Sequence, residues 1–297
     1  MSTLGSLPLS MQTKPLVEAF FDEISNTISY VVKDPDTSAC VIVDSVMDFD
    51  FSSGRISYSH ADKIIAYVKQ HDLCVEWLIE THVHADHLSA APFIQEQLGG
   101  KIGIGHNITV VQDTFGKIFN EGTQFERDGS QFDALFHDGD TYQVGKMVVC
   151  LIDTPGHTPA CMTHVMGNAA FVGDTLFMPD SGSARADFPG GDAGILYDSI
   201  QKLLSLPEDM MLYMCHDYGP DGRDIQWQTT VGKEKQHNIH VGAGRTREEF
   251  IKFRTERDAQ LAVPKLIIPS LQINMRAGVL PRDEQGNLSI RYPLNSL

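Results

Sequence analysis

Cysteine is sparse in this 297-residue chain. The five present (Cys40, Cys74, Cys150, Cys161 and Cys215) form an odd, scattered set without a C-x-x-C pair, which argues against a disulfide framework and for a reducing compartment. Basic residues are also short. Against 39 Asp and Glu stand 23 Lys and Arg, a formal charge of −16, which is the wrong sign for a general nucleic-acid binder. No apolar run reaches the ~18 residues that a membrane-spanning helix needs. The opening Met-Ser-Thr-Leu-Gly-Ser-Leu-Pro-Leu lacks the basic start and long apolar core of a secretory signal. These absences predict a soluble, cytoplasmic protein with neither a membrane nor a nucleic-acid partner. Internal repeats and low-complexity tracts are missing too, and the 42% hydrophobic, 21% charged composition is that of a globular domain.

What is present is punctuated strand and helix patterning. Short β-rich runs predict strands over 27–32, 40–46 and 75–79, with a helix over 61–69 that puts Ile64, Ile65 and Val68 on one face. A helix over 89–98 tolerates Pro92 only in its first turn. Three successive strands are expected over 147–152, 161–166 and 169–172. Asp192 then caps a helix carrying Ile195, Leu196, Ile200, Leu203 and Leu204, stopped by Pro207 and followed by a strand over 211–214. A second half that repeats the order of the first predicts an α+β fold of two facing sheets with helices outside, its site at the strand ends. Thr246-Arg247-Glu248-Glu249 reads as a capping box for a helix to about Leu261, and 265–273 reads as strand. The division is a main domain over 1–245 and an extension over 246–297, which packs on the same domain or makes the subunit interface of a homo-oligomer.

Chemistry is concentrated after the strand over 75–79, where Thr81-His82-Val83-His84-Ala85-Asp86-His87 places four potential metal ligands within six residues. A chain of this composition holds H-x-H-x-D-H by chance roughly two times in a thousand. Two histidines two apart on extended backbone point the same way, and Asp86 and His87 at the following turn reach a neighbouring position. Further candidates each sit at a turn beside an apolar run: His157 in Thr-Pro-Gly-His-Thr, Asp174 in Gly-Asp-Thr-Leu-Phe, and His216 in Cys-His-Asp-Tyr. Such nitrogen and oxygen donors favour zinc or iron over copper(I) or a cluster.

In this order and spacing, HVHADH, TPGHT, GDTLF and CHDY resemble the metallo-β-lactamase superfamily over about residues 25–240. The resemblance implies an αβ/βα sandwich of two mixed sheets with the metal site at its edge. Ser183-Ala184-Arg185-Ala186-Asp187-Phe188 has the Arg-x-Asp-Phe pattern of the persulfide dioxygenase (sulfur dioxygenase, ethylmalonic encephalopathy protein-like) family, where glyoxalase II has an Arg-Phe-Phe-Glu type sequence. His216-Asp217-Tyr218 agrees, and Pro269-Ser270-Leu271-Gln272-Ile273-Asn274 with Arg276-Ala277-Gly278 is similar to a bacterial branch of that family.

Carried over residue by residue, this resemblance implies one Fe(II) per chain held by His82, His157 and Asp174, with open positions for a persulfide sulfur and dioxygen. The implied reaction joins glutathione persulfide, O2 and water to give glutathione and sulfite. His84, Asp86, His87 and His216 would orient the ligands and hold water, and Tyr218 would lie near the sulfur, with Tyr218, Asp86 and His84 as catalytic residues. Zinc is expected as a substitute metal. A competing reading keeps all seven ligands on two zinc ions, with His82, His84 and His157 on one, Asp86, His87 and His216 on the other, and Asp174 between them. That centre would be a hydrolase of the glyoxalase II/thioesterase or lactonase type. A substrate bearing carboxylates would want arginine partners, first Arg223 in the turn after Gly219-Pro220-Asp221-Gly222, then Arg185 and Arg245. The other histidines (His60, His71, His106, His137, His164, His237 and His240) read as surface or core residues.

Overall fold

The structure is a computed structural model and describes residues 13–295. It begins with an antiparallel meander, β1 (Leu16–Asp22), β2 (Thr27–Lys33) and β3 (Ala39–Val43), and turns into a hairpin of β4 (Val46–Asp50) and β5 (Arg55–Ser57). Next come α1 (Ser59–Gln70), β6 (Cys74–Ile79), the short β7 (Leu88–Ser89), α2 (Ala91–Leu98), β8 (Lys101–Gly105), α3 (Ile108–Ile118) and β9 (Ala134–Phe136). The first sheet runs β1-β2-β3-β6-β8-β9, while β5-β4-β7 make a small sheet beside it. The second sheet collects β10 (Thr141–Val144), β11 (Met147–Asp153), β12 (Met162–Met166), β13 (Ala169–Phe171), β14 (Met211–Tyr213) and β15 (Gln228–Thr230) in chain order. Helix α4 (Ala193–Leu204) joins β13 to its parallel neighbour β14, and α5 (Val231–His237), α6 (Arg247–Asp258) and α7 (Ile267–Asn274) complete the chain.

Strand β2 shows why two sheets face each other. Its Ile28, Tyr30 and Val32 point into the space between the sheets, where they meet Val149, Leu151 and Phe171, while Val31 points outward into a second cluster with Ile64 and Val68 of α1. A strand buried on both faces must have a sheet on one side and helices on the other. A third cluster packs α4 and Phe250 of α6 on the outer face of the second sheet. The result is the expected α+β sandwich, helices outside two facing mixed sheets, with a C-terminal helical extension. Among the described residues no helix is long and apolar enough to cross a membrane.

Three local expectations are corrected. The strand expected over 40–46 breaks at Asp44, which adopts φ 52°, so that its carboxylate turns inward before β4 begins. The helix expected from residue 89 starts at Ala91, because Leu88–Ser89 pair with β4 first. The strand expected over 265–273 is the helix α7. Its near-continuous apolar run lacks alternation, Pro269 fits a first helical turn, and burial on all sides explains the missing polar face.

Candidate metal centre

The loop between β6 and β7 carries His82, His84, Asp86 and His87, and its shape is set by residues outside it. Asp44 accepts the Thr81 backbone N–H at Oδ1 (2.8 Å) and the Thr81 hydroxyl at Oδ2 (2.8 Å). With the hydroxyl proton committed to Asp44, the Thr81 oxygen accepts from His82 Nδ1–H (3.0 Å), leaving the Nε2 lone pair free. His84 is turned the other way: its Nε2–H faces Asp44 Oδ1 (3.0 Å) and Glu80 Oε2 (3.2 Å), so Nδ1 is the free nitrogen. Burial alone would depress the His84 imidazolium, but the two carboxylates overcome it and raise its pKa. For His82 burial wins, reinforced by the neighbouring His84 and His157, so its pKa falls and the ring is neutral.

Side chains from the C-terminal extension close the loop from behind. Asn274 of α7 donates from Nδ2 to the carbonyls of His84 (2.9 Å) and His87 (2.8 Å), and its Oδ1 accepts the Ser89 N–H (2.8 Å). Asn274 thus pins the loop that carries the candidate ligands. Two turns after β11 and β13 bring the second sheet's ligands to the same point. His157 donates Nδ1–H to the Arg185 carbonyl (2.8 Å), which leaves Nε2 free. Gly173, before Asp174, adopts φ +52° where a Cβ would press on Thr81 Oγ1, so only glycine lets this turn approach the loop. His216 donates Nδ1–H to the Asn26 carbonyl (3.2 Å), and His87 Nδ1 lies 3.2 Å from Thr27 Oγ1.

All seven expected ligands therefore converge, and each histidine has its outer nitrogen fixed by a protein partner. Their inner atoms face one another without hydrogen-bond partners among the described residues: His82 Nε2, His84 Nδ1, Asp86 Oδ2, His87 Nε2, Asp174 Oδ1 and His216 Nε2 are buried and unsatisfied. Buried donors and acceptors are normally paired, so a cluster of unsatisfied imidazole nitrogens and carboxylate oxygens aimed at one space fits a cation. Asp174 straddles the cluster. Its Oδ2 lies 3.8 Å from His82 Nε2 and 3.6 Å from His157 Nε2, and its Oδ1 lies 3.4 Å from His216 Nε2. His216 Nε2 in turn is 3.3 Å from Asp86 Oδ2. His82, His157 and Asp174 offer atoms within 4.8 Å of one another, as do His84, Asp86 and His87. Cys215, not expected among the ligands, also comes this close to Asp174 and His216, but burial and the nearby Asp44 and Asp174 carboxylates push its pKa up, so it stays a thiol.

A cavity of about 720 Å³ opens over Asp86, His157 and Asp174. Tyr218 lines it, half exposed, its hydroxyl without a hydrogen-bond partner among the described residues. Arg185 lines it too, although Nε and Nη2 are held by Asp187 and Nη1 by the Ala262 carbonyl. Arg223 does not face it as a free donor. Its five N–H groups go to Asp180 twice, Asp217 twice and the Asp224 carbonyl, so it braces the turn after His216. Arg245 lines a different cavity, with its guanidinium over the Phe253 ring. Sequence reasoning missed Asp44, Glu80 and Asn274. A β-branched run interrupted by an acid, and an Asn in an apolar segment, were the signals available.

Comparison with known proteins agrees with this geometry. Residues 25–216 match the metallo-beta-lactamase superfamily. The chain is 52% identical over 292 residues to a probable metallo-hydrolase of Burkholderia pseudomallei (strain 1710b), covering 95% of this chain and 99% of that one. It is 28% identical to the mitochondrial persulfide dioxygenase ETHE1 of Homo sapiens, over 89% of each chain. The crystal structure of ETHE1 from Myxococcus xanthus superposes with a TM-score of 0.71 at 29% identity, covering 89% of this chain and all of that one. Since the matched span runs through both sheets and holds every candidate ligand from His82 to His216, the chain belongs to the metallo-beta-lactamase superfamily.

Proposed function

We propose that the protein is a metal-dependent hydrolase with a binuclear centre, acting on a thioester or lactone. The observation that carries this reading is the Asp174 carboxylate, whose two oxygens face different groups, Oδ2 toward His82 and His157 and Oδ1 toward His216. His82, His84 and His157 would hold one ion and Asp86, His87 and His216 the other, with Asp174 between. Two zinc ions held there would supply Lewis acidity toward the substrate carbonyl and activate water for attack. The chain's own residues do the rest. Asp44 and Glu80 lock the His84 tautomer, and Tyr218, with its hydroxyl unpartnered at the cavity wall, donates to the substrate. Hydrolysis forms one C–O bond and breaks the C–S or ring C–O bond, and one water proton passes by way of a carboxylate of the site to the leaving sulfur or oxygen. The name of the relative at 52% identity is in keeping with this class of reaction.

A second reading rests on a separate observation. The Arg185–Phe188 segment buttresses a ligand directly, since the Arg185 carbonyl holds His157 Nδ1 and the Phe188 ring lies 6.2 Å from the His157 ring. His82, His157 and Asp174 alone make a two-histidine, one-carboxylate face, which with one Fe(II) would supply the redox chemistry for oxidising glutathione persulfide with O2 and water to glutathione and sulfite. Here His84, Asp86, His87 and His216 position ligands and water. The likeness to persulfide dioxygenases at 28–29% identity favours this alternative. Five unpaired cysteines suit a cytoplasmic setting in either case.

One preparation separates the two. Protein purified without oxygen should contain about two zinc ions per chain and hydrolyse S-lactoylglutathione or an acyl lactone. About one iron per chain, with oxygen uptake that depends on glutathione persulfide, would replace the first reading with the second.

A further inference from the structure

The cavity over the ligands runs away from them to a wall formed by α6 and the segment before it. Three arginines line the cavity, Arg185, Arg254 and Arg257, and two are spent on the protein. Arg185 is held by Asp187 and the Ala262 carbonyl. Arg254 is buried, with Nε and Nη2 on Asp258 (2.9 and 2.6 Å) and Nη1 on the Ser183 carbonyl (3.1 Å). Arg257, three residues further along the same helix, is exposed, and its guanidinium has neither an ion pair nor a hydrogen bond among the described residues.

His240 shares this wall. Its ring is buried at 4% exposure and clamped: Nδ1 accepts the Ser183 N–H (2.9 Å), Phe253 lies against it at 4.6 Å, and a Cβ on Gly182 would collide with Nδ1. A nitrogen that accepts a backbone N–H carries no proton, so in the neutral ring the proton is on Nε2. Burial and the positive charges of Arg254, Arg257 and Arg245 hold the imidazolium pKa down to about 3, so the ring is neutral at any working pH. Its Nε2–H is a donor without a protein acceptor among the described residues, on the same cavity wall as the unpaired Arg257. In a chain of charge −16, a free guanidinium and an unused neutral donor lining one cavity offer what a carboxylate accepts and what a cationic or apolar group would not.

We propose that Arg257 and His240 form a carboxylate-binding subsite that anchors an acidic arm of the substrate while its reacting group lies against Asp86 and Asp174. This rests on the proposed function only in taking the cavity as the catalytic one. It names the substrate class as a conjugate that bears a carboxylate away from the reacting bond.

The probes are S-methylglutathione, a thioether that neither proposed reaction consumes, and its dimethyl ester, which keeps the shape and loses both acid charges. Each is titrated calorimetrically into the metal-loaded protein. The wild type should bind the free acid about tenfold more tightly than the ester, a difference in line with charge-assisted hydrogen bonding. Arg257→Ala should bind the two alike, Arg257→Lys should keep part of the preference, and His240→Phe, which preserves the packing on Phe253, should reduce it by a factor of about three. Metal content should be the same in all four proteins. Equal binding of acid and ester by the wild type, binding of neither, or a preference that survives Arg257→Ala would each overturn the subsite. Turnover is judged separately: a protein that discriminates through Arg257 but cleaves no thioester or lactone keeps the subsite and loses the hydrolase reading.

Discussion

Two regions of this molecule bury polar atoms that the protein leaves without partners, and they resolve the problem differently. At the sandwich edge, unsatisfied nitrogen and oxygen atoms of His82, His84, Asp86, His87, Asp174 and His216 converge on one space. Elsewhere the orphans are single. His164 Nε2, between the sheets, and Glu234 Oε1, on α5, have no hydrogen-bond partner among the described residues, and no ring of other donors among them surrounds either atom. There the side chain gives up its charge: burial drives His164 down to about 3 and Glu234 up to about 8, so both are neutral near pH 7. An unpaired buried atom is therefore not by itself a sign of metal. Convergence is the sign, because neutralisation can relieve one group but cannot relieve two carboxylates and four imidazoles facing each other.

The largest test of that contrast removes a carboxylate from the convergent set. Asp174→Ala should reduce metal affinity by more than about a hundredfold, since the removed side chain faces both halves of the cluster. Wild-type melting temperature should fall on chelation and recover with metal, because an ion that binds only the folded state stabilises it, and Asp174→Ala should lose that increment. An Asp174→Ala protein that retains full metal after dialysis would break the comparison. His84→Ala sharpens it: retained metal at one ion per chain points to the mononuclear scheme, and loss of an ion points to the binuclear one.

A smaller effect is expected where the ligand loop is held from behind. Asn274→Leu keeps the volume and apolar contacts of α7 but removes the three hydrogen bonds to His84, His87 and Ser89. Metal affinity measured against a competing chelator should fall ten- to a hundredfold, the usual range for outer partners of metal ligands, and the far-ultraviolet spectrum should not change. Unchanged affinity with a lowered melting temperature would reduce Asn274 to a packing residue.

These residues also mark how far the sequence could be read. The candidate ligands were legible because they are local: four fall within six residues, and the others occupy turns beside apolar runs, where a polar residue has few structural reasons to sit. The sandwich was legible for the same reason, since runs such as Thr27–Lys33 and Met147–Asp153 announce strands on their own. What supports the ligands is not local. Asp44 meets His84 40 positions later, and Asn274 meets Ser89 185 positions earlier, pairings that no spacing rule foresees. Arg223 shows the opposite error. Its closeness in sequence to His216 suggested a substrate contact, but Asp180, 43 residues away, and Asp217 take its guanidinium. The segment over 265–273 misled because a wholly apolar run has no period, and tertiary packing alone decides between helix and strand.

The smallest expected effect lies with the isolated acid, and it tests the other half of the contrast. Glu234 is fully buried on α5, with Oε2 accepting from Asn238 Nδ2 (2.6 Å), and burial raises its carboxyl to about 8 against an ordinary glutamate value near 4.5. Between those two values the folded protein holds a proton that the unfolded chain releases. Stability therefore falls as pH rises through this window; below about 4.5 the term is absent, and above about 8 the penalty is complete. Glu234→Gln has no proton to lose and can keep an acceptor for Asn238. Relative to the variant, the wild type should lose roughly 1–2 kcal/mol between pH 5 and pH 8.5, a shift of a few degrees in melting temperature, once relaxation around the ionised group is allowed. The metal-dependent increment should be the same in both proteins, because Glu234 stands outside the ligand cluster. Parallel melting curves for wild type and Glu234→Gln across that range would mean that the carboxylate finds a partner when ionised, and the distinction between orphan atoms that neutralise and orphan atoms that bind metal would lose its second example.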